Sequence, residues 1–145
     1  MMVAQQLYEG IDTDDGAHGL ITYMRTDSTR VSEAARKQAS SLITERFGKK
    51  FLGKGAKGQK AKGAQEAHEA IRPTDVTRTP ESLAHSLKPD QLKLYTLIWK
   101  RFVASEMAPA VNKIRTIRVE TETSPDIYQF SVSVTQELFP GFRKV

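Results

Sequence analysis

The longest regular pattern in the chain is PDQLKLYTLIWKRFVASEM, residues 89–107. Pro89 favours the first position of a helix, because its φ is already helical and its missing N–H would have no partner there. Large apolar side chains then recur every three or four residues, which places them on one face of a helix. The pattern predicts a helix from Pro89 to about Met107 whose core face is formed by Leu92, Tyr95, Ile98, Trp99 and Phe102.

Two further helices are predicted on the N-terminal side. Residues 1–10, MMVAQQLYEG, are good helix formers that end at a glycine, a typical helix stop. Ser32 is a suitable N-cap for a helix over residues 33–47, which Gly48 would close. The apolar stripe of this helix comprises Ala35, Ala39, Leu42, Ile43 and Phe47. Together with the long helix, these segments indicate a mainly helical domain.

Shorter elements are predicted in the intervals. Turn-forming residues favour a loop over residues 11–19, and LITYM, residues 20–24, favours a short β-strand. AQEAHEAIRP, residues 64–73, is typical of a short helix that ends before its proline. TPE, residues 79–81, predicts the N-cap and first turn of another short helix.

After Pro109 the apolar period changes from that of a helix to that of a strand. One predicted strand has Ile117, Val119 and Thr121 on one face, and the next has Tyr128, Phe130, Val132 and Val134, with a turn at residues 124–126. A two-stranded hairpin is marginal alone, so we expect the other strands of this sheet to lie outside the chain. The fold class is therefore α+β, with a helical domain over 1–109 and a partial β segment over 110–145.

The composition favours an intracellular soluble protein with an anionic partner. The 145 residues carry a net charge of +5 and no cysteine, which excludes disulfides and thiolate metal sites. No apolar run approaches the ~20 residues needed to span a bilayer, so no membrane partner is expected. KKFLGKGAKGQKAK, residues 49–62, is interpreted as a loop, either a solvated linker or an arm whose lysines, such as Lys57 and Lys60, contact phosphates.

Two segments match known motifs in part, but each lacks a residue that the motif requires. Gly53 and Gly58 have the separation found in a phosphate-binding P-loop, yet Gln59 stands where the lysine is required. His68 and the glutamate after it begin like the zinc motif HExxH, yet Arg72 occupies the position of the second histidine. The sequence therefore predicts neither a P-loop nor a zinc site.

GLITYMRTDST, residues 19–29, places a tyrosine and an arginine two residues apart and then ends in small polar residues. In an extended chain, alternation puts Tyr23 and Arg25 on the same face. A phenol oxygen can attack a phosphodiester while a guanidinium binds the nonbridging phosphate oxygens. The alternatives are a tyrosine ring buried in the core and a simple turn at residues 27–29.

These residues, together with AQQLYEG at 4–10 and QEAHEAIRPT at 65–74, resemble bacterial type IA DNA topoisomerases. Such enzymes relax negatively supercoiled DNA by passing one strand through a transient break in another. The three motifs occur in the family's order, and the resemblance covers essentially the whole chain. It implies a winged-helix-like domain that carries the active-site tyrosine, followed by strands of an incomplete arch domain.

The resemblance also implies roles for individual residues. Tyr23 would be the nucleophile that forms a covalent 5′-phosphotyrosine, and Arg25 would bind the scissile phosphate. His68 would contact DNA near the break, and Arg72 of the same motif is a further expected DNA contact. Supporting positions near the active site are Gln5, Glu9, Thr22, Thr26 and Asp27.

In the family, Mg²⁺ is held by a separate Toprim-type domain that nothing in this sequence matches. The resemblance thus implies a fragment that binds no metal itself and has little activity alone. Its partners would be single-stranded DNA and the remainder of the topoisomerase chain, in the cytoplasm at the nucleoid. One alternative is a noncatalytic single-stranded DNA-binding module in which Tyr23 stacks on a base. A tyrosine recombinase is disfavoured, because the nucleophile of such an enzyme follows an HxxR signature, whereas Tyr23 precedes His68 and the spacing from His68 to Arg72 is different.

Overall fold

A computed structural model describes residues 1–14, 16–55, 68–123 and 126–145, excluding the side chains of residues 122 and 123. Three α-helices and two small antiparallel sheets make up its regular structure, which confirms the α+β class. The helices are α1 (Met2–Glu9), α2 (Glu33–Arg46) and α3 (Pro89–Glu106), and the strands are β1 (Ile11–Thr13), β2 (Gly16–His18), β3 (Val111–Thr123) and β4 (Asp126–Phe139). Short 3₁₀ turns occupy Lys49–Phe51 and Gly141–Lys144. The winged-helix detail stays a prediction.

Helix α3 lies at the centre of the core, as its apolar period predicts. Tyr95, Trp99 and Phe102 are buried, while Leu92 and Ile98 pack against the core from half-buried positions. The polar ends of the two largest rings are paired. The Tyr95 hydroxyl donates to the carbonyl of Arg78 at 2.6 Å, and the Trp99 indole N–H donates to the carbonyl of Val76 at 2.8 Å. These bonds tie the segment before α3 to the helix.

The other two predicted helices are also confirmed. Helix α1 ends at Gly10, whose φ of 135° is a conformation that favours glycine. Ser32 caps α2 by accepting a hydrogen bond from the backbone N–H of Ala35 at 3.4 Å. In the apolar stripe of α2, Ala35, Ala39 and Ile43 are buried, and Leu42 and Phe47 are half-buried.

Two short antiparallel strands, β1 and β2, occupy residues 11–13 and 16–18 where a loop was expected, with Ile11 opposite His18 and Thr13 opposite Gly16. Turn-forming residues are as suitable for a hairpin tip as for a loop, so composition alone did not distinguish the two. The prediction of a strand over residues 20–24 was wrong. Only an isolated bridge joins Ile21 to Pro73, and a proline cannot donate the next ladder hydrogen bond.

Two predicted short helices are absent from the described residues. Residues 68–72 are not helical, because the backbone of this segment pairs with residues 20–22 of the chain; residues 64–67 lie outside the described ranges. Residues 80–86 form a series of turns. Thr79 does accept a hydrogen bond from the N–H of Ser82 at 3.3 Å, so the cap is present without a regular helix. Helices this short are marginal in water.

Strands β3 and β4 form a long two-stranded antiparallel ribbon, as the apolar period of 2 and the turn residues predict. Ile117 lies opposite Val132, and Val119 lies opposite Phe130. These four residues are all more than half exposed, so the described residues leave one apolar face of the ribbon uncovered. At the base of the ribbon, the ring of Phe139 packs against that of Phe51 at 4.8 Å.

Candidate functional site

Three segments of the chain meet around Tyr23, which lies outside regular secondary structure. One of these segments is the last turn of α1, which is joined to the segment of Tyr23 because the N–H of Leu20 donates to the carbonyl of Leu7 at 2.7 Å. Gly19 permits this approach: a Cβ at that position would lie 2.6 Å from the carbonyl oxygen of Tyr8. The buried Leu7 and Leu20 anchor both segments in the core.

The segment 70–74 is attached on the other side, through Thr22. The Thr22 hydroxyl donates to the carbonyl of Ala70 at 2.7 Å and accepts from the N–H of Arg72 at 2.9 Å. The backbone N–H of Thr22 donates to the carbonyl of Arg72 at 2.9 Å. Thr74 adds a bond from its hydroxyl to the carbonyl of Gly19 at 2.7 Å. This pairing brings the expected site residue His68 close to Tyr23.

The half-buried ring of Tyr23 contacts two other aromatic rings. The ring of Tyr8 meets it edge-on, with centroids 5.5 Å apart and an interplanar angle of 67°. The ring of His68 lies at 5.1 Å with an angle of 33°. Edge-to-face and tilted contacts at these distances are favourable for aromatic pairs. Tyr23 is therefore at an accessible aromatic cluster and is not sealed in the core.

Neighbouring side chains differ in their freedom to bind a ligand. Arg25 and Asp27 are exposed, whereas Met24 packs against the core. The hydroxyl of Thr26 accepts from the N–H of Ser28 at 3.0 Å and so forms a local turn. This supports the turn interpretation of the residues that follow Arg25.

Two polar side chains on α1 pair with each other one helical turn apart. The side-chain amide of Gln5 donates to the carboxylate of Glu9 at 2.7 Å, and both residues are exposed. Positions four apart share one face of a helix. Tyr8, at i+3 from Gln5, is on the same side of the helix, and its ring is the one that contacts Tyr23.

Arg72 is engaged within the protein. Its guanidinium forms an ion pair with Glu69, with nitrogen–oxygen distances of 2.6 and 2.8 Å, and it also donates to the carbonyl of Pro73 at 2.8 Å. Only 13% of the side chain is exposed. In this arrangement Arg72 stiffens the segment that carries His68.

The remaining predictions concern the lysine loop and metal binding. Lys57 and Lys60 lie in residues 56–67, outside the described residues. Within the described ranges, no group of three or more histidine, aspartate or glutamate side chains could hold a metal ion.

A family model described as DNA topoisomerase matches residues 1–145. The chain belongs to the DNA topoisomerase family. It is 49% identical to DNA topoisomerase 1 of Thermotoga maritima, 46% identical to that of Fervidobacterium islandicum and 47% identical to that of Campylobacter jejuni. Each alignment covers 100% of this chain and between 20% and 23% of the relative. The chain therefore spans about a fifth of the length of these curated relatives.

The fold is similar to a solved member of the topoisomerase family. The structure of full-length topoisomerase I from Thermotoga maritima superposes with a TM-score of 0.80 at 48% identity. The match covers 100% of this chain and 22% of that one. None of the helices in the described ranges combines the length and apolar character needed to cross a membrane.

One member of the aromatic cluster was missed by the sequence analysis. Tyr8 lies in the AQQLYEG motif, between two residues that were expected at the site. Its spacing from Gln5, at i+3, was the available signal, since residues three and four apart share a helix face. The direction in which that face points depends on the packing of α1 against Leu20, which is a tertiary contact.

Proposed function

We propose that this chain is the tyrosine-bearing part of a DNA topoisomerase and that Tyr23 cleaves and rejoins one DNA strand. The observation that carries the proposal is the position of the Tyr23 ring, half-buried and held in an accessible cluster, with the exposed Arg25 two residues later. Membership of the topoisomerase family supports it. That Tyr23 and Arg25 face the same phosphate is part of the proposal.

The chemistry is an exchange of one phosphate ester for another. The phenolic oxygen of Tyr23 attacks the phosphorus, the bond from phosphorus to the 3′ oxygen of the preceding nucleotide breaks, and a 5′-phosphotyrosine forms. The phenol loses its proton and the departing 3′ oxygen gains one. Rejoining is the reverse step, so it needs no nucleotide cofactor. After strand passage, the result is relaxation of negatively supercoiled DNA.

Arg25 would bind the nonbridging oxygens of the scissile phosphate and offset the charge that develops during attack. His68, exposed beside the Tyr23 ring, would contact DNA next to the break. Thr22 would act by holding these segments together, and Thr26, Asp27, Gln5 and Glu9 would line the approach. A DNA contact by Arg72 requires that its guanidinium leave Glu69.

The chain would act within a longer enzyme. Because it spans about a fifth of its relatives, we assign Mg²⁺ binding to a Toprim-type domain elsewhere in the polypeptide. Residues 1–109 would be the tyrosine domain, and residues 110–145 would be the first strands of an arch whose remaining strands cover the apolar face of the ribbon. The enzyme would work in the cytoplasm at the nucleoid, and the chain alone would cleave DNA poorly.

The aromatic cluster also suits a second candidate, a noncatalytic module that stacks single-stranded bases on Tyr8, Tyr23 and His68. The two candidates differ in what a phenylalanine at position 23 would retain. Stacking needs the ring, whereas covalent capture needs the oxygen.

The test uses the longer polypeptide that carries this chain and a single-stranded oligonucleotide labelled at its 3′ end. After denaturation, label should migrate with the wild-type protein, because the 3′ fragment is joined to it through its 5′ phosphate. Tyr23→Phe should abolish this transfer and preserve noncovalent binding. Tyr128→Phe, which removes the hydroxyl of an exposed residue on β4, outside the aromatic cluster, is the matched control and should transfer label normally. Undiminished transfer by Tyr23→Phe would refute the proposal.

A further inference from the structure

The direction of the Tyr23 side chain is not set by secondary structure. Its backbone lies between the paired residues 20–22 and the turn at residues 26–28, so no ladder of hydrogen bonds surrounds it. A nucleophile that must meet a phosphorus atom in line needs a defined ring direction, because misplacement by about 1 Å is costly in rate. Contacts on the ring itself must supply that definition.

Tyr8 contributes one of the two rings in contact with Tyr23, and the backbone that carries it is anchored. Its backbone carbonyl is held next to Gly19, and the adjacent Leu7 is fully buried and bonded to Leu20. The Tyr8 side chain remains 41% exposed, so it contributes little to the core. The Tyr8 ring leaves much of its surface in water and meets the Tyr23 ring edge-on at 5.5 Å. It is therefore placed to orient that ring.

His68 approaches the Tyr23 ring on a separate segment. It is tied to the same strand-like backbone through the bonds of Thr22 to Ala70 and Arg72. Leu20 thus holds the segment that carries Tyr8, and Thr22 separately holds the segment that carries His68. Any shift of the Tyr23 ring must therefore break contact with Tyr8, with His68 or with both.

We propose that Tyr8 is a positioning residue for Tyr23: its ring limits the rotation of the nucleophile and so aligns the phenolic oxygen for attack on DNA. The proposal rests on the proposed function of Tyr23. Tyr8 acts through the ring contact, so its hydroxyl is dispensable. An aromatic pair of this kind corresponds to a rate effect of roughly 2- to 12-fold.

The experiment measures covalent capture in a single turnover, at saturating oligonucleotide, in the longer polypeptide that carries this chain. Tyr8→Ala should slow capture roughly 2- to 12-fold, Tyr8→Leu should slow it to a similar degree, and Tyr8→Phe should restore the wild-type rate. Met2→Ala, at an exposed position on the same helix, should leave the rate unchanged. The affinity for DNA, measured in a Tyr23→Phe background, and the thermal midpoint should change little in all variants.

The following results would contradict either the positioning role of Tyr8 or the proposed function of Tyr23. An unchanged rate for both Tyr8→Ala and Tyr8→Leu would remove the positioning role. An equal loss in Tyr8→Phe would assign the effect to the hydroxyl, and a parallel loss of DNA affinity would make Tyr8 a DNA contact; either result overturns the inference. Capture that persists in Tyr23→Phe alone would overturn the proposed function itself, which keeps the two failures distinct.

Discussion

Thr22→Val offers the sharpest test of how the site is assembled. Valine keeps the shape and β-branching of threonine and removes only the hydroxyl. That hydroxyl donates to the carbonyl of Ala70 and accepts from the N–H of Arg72, both from half-buried positions. Each bond contributes about 1 kcal/mol, so the variant should lose about 2 kcal/mol of unfolding free energy. For a chain of this size, that corresponds to a thermal midpoint about 6 °C lower.

Thermal unfolding followed by circular dichroism measures this shift, and Thr74→Val is the matched control. The Thr74 hydroxyl makes a single bond, to the carbonyl of Gly19, and Thr74 is exposed, so water can replace that bond. Its midpoint should fall by less than half as much. Covalent capture should also slow in Thr22→Val, because His68 would no longer be held beside Tyr23. Equal midpoints for Thr22→Val and the wild type would refute the reasoning that Thr22 joins these segments.

Three further predictions concern stability. Burial raises the pKa of Glu106 above 4.5, and the charge of Arg36 opposes this shift. The stability of the wild type should therefore fall as the pH rises from 4.5 through the raised pKa. Glu106→Gln should flatten this pH dependence, measured by urea unfolding, and should be more stable than the wild type at pH 7. Gly19→Ala should lower the thermal midpoint and slow capture, because its Cβ would meet the carbonyl oxygen of Tyr8 at 2.6 Å. Tyr95→Phe should cost about 1–2 kcal/mol in chemical denaturation, because the carbonyl of Arg78 loses its donor.

The pH prediction follows from how the Glu106 carboxylate is buried. One of its oxygens has no hydrogen-bond partner among the described residues, so the charged form is poorly compensated in the folded state. An acid with a raised folded-state pKa stabilises the fold only while it is protonated. A stability that increased with pH between 4.5 and 7 in the wild type, and not in Glu106→Gln, would show the opposite sign and contradict this account.

Local patterns in the sequence determined the helices and the long ribbon. The face of α3 around Tyr95 and Trp99, the Ser32 cap and the shared face of Ile117 and Val119 on β3 all follow from periods of 3.6 or 2 and from end signals within a few residues. Such features depend on neighbours in the chain, so one sequence suffices to predict them. The motif around Tyr23 is likewise local, and the prediction of a site at Tyr23 rests on it.

Only the tertiary structure decided what surrounds that tyrosine. Residues 68–72 have a helical pattern, yet the bonds of Thr22 to Ala70 and Arg72 take their backbone into a long-range pairing that also brings His68 to Tyr23. Tyr8 reaches the same ring because Leu20 binds the end of α1, and Arg72 is withdrawn into an ion pair with Glu69. Hydrogen bonds between residues about 50 positions apart leave no periodic trace in the sequence, so their geometry had to be seen in the folded chain.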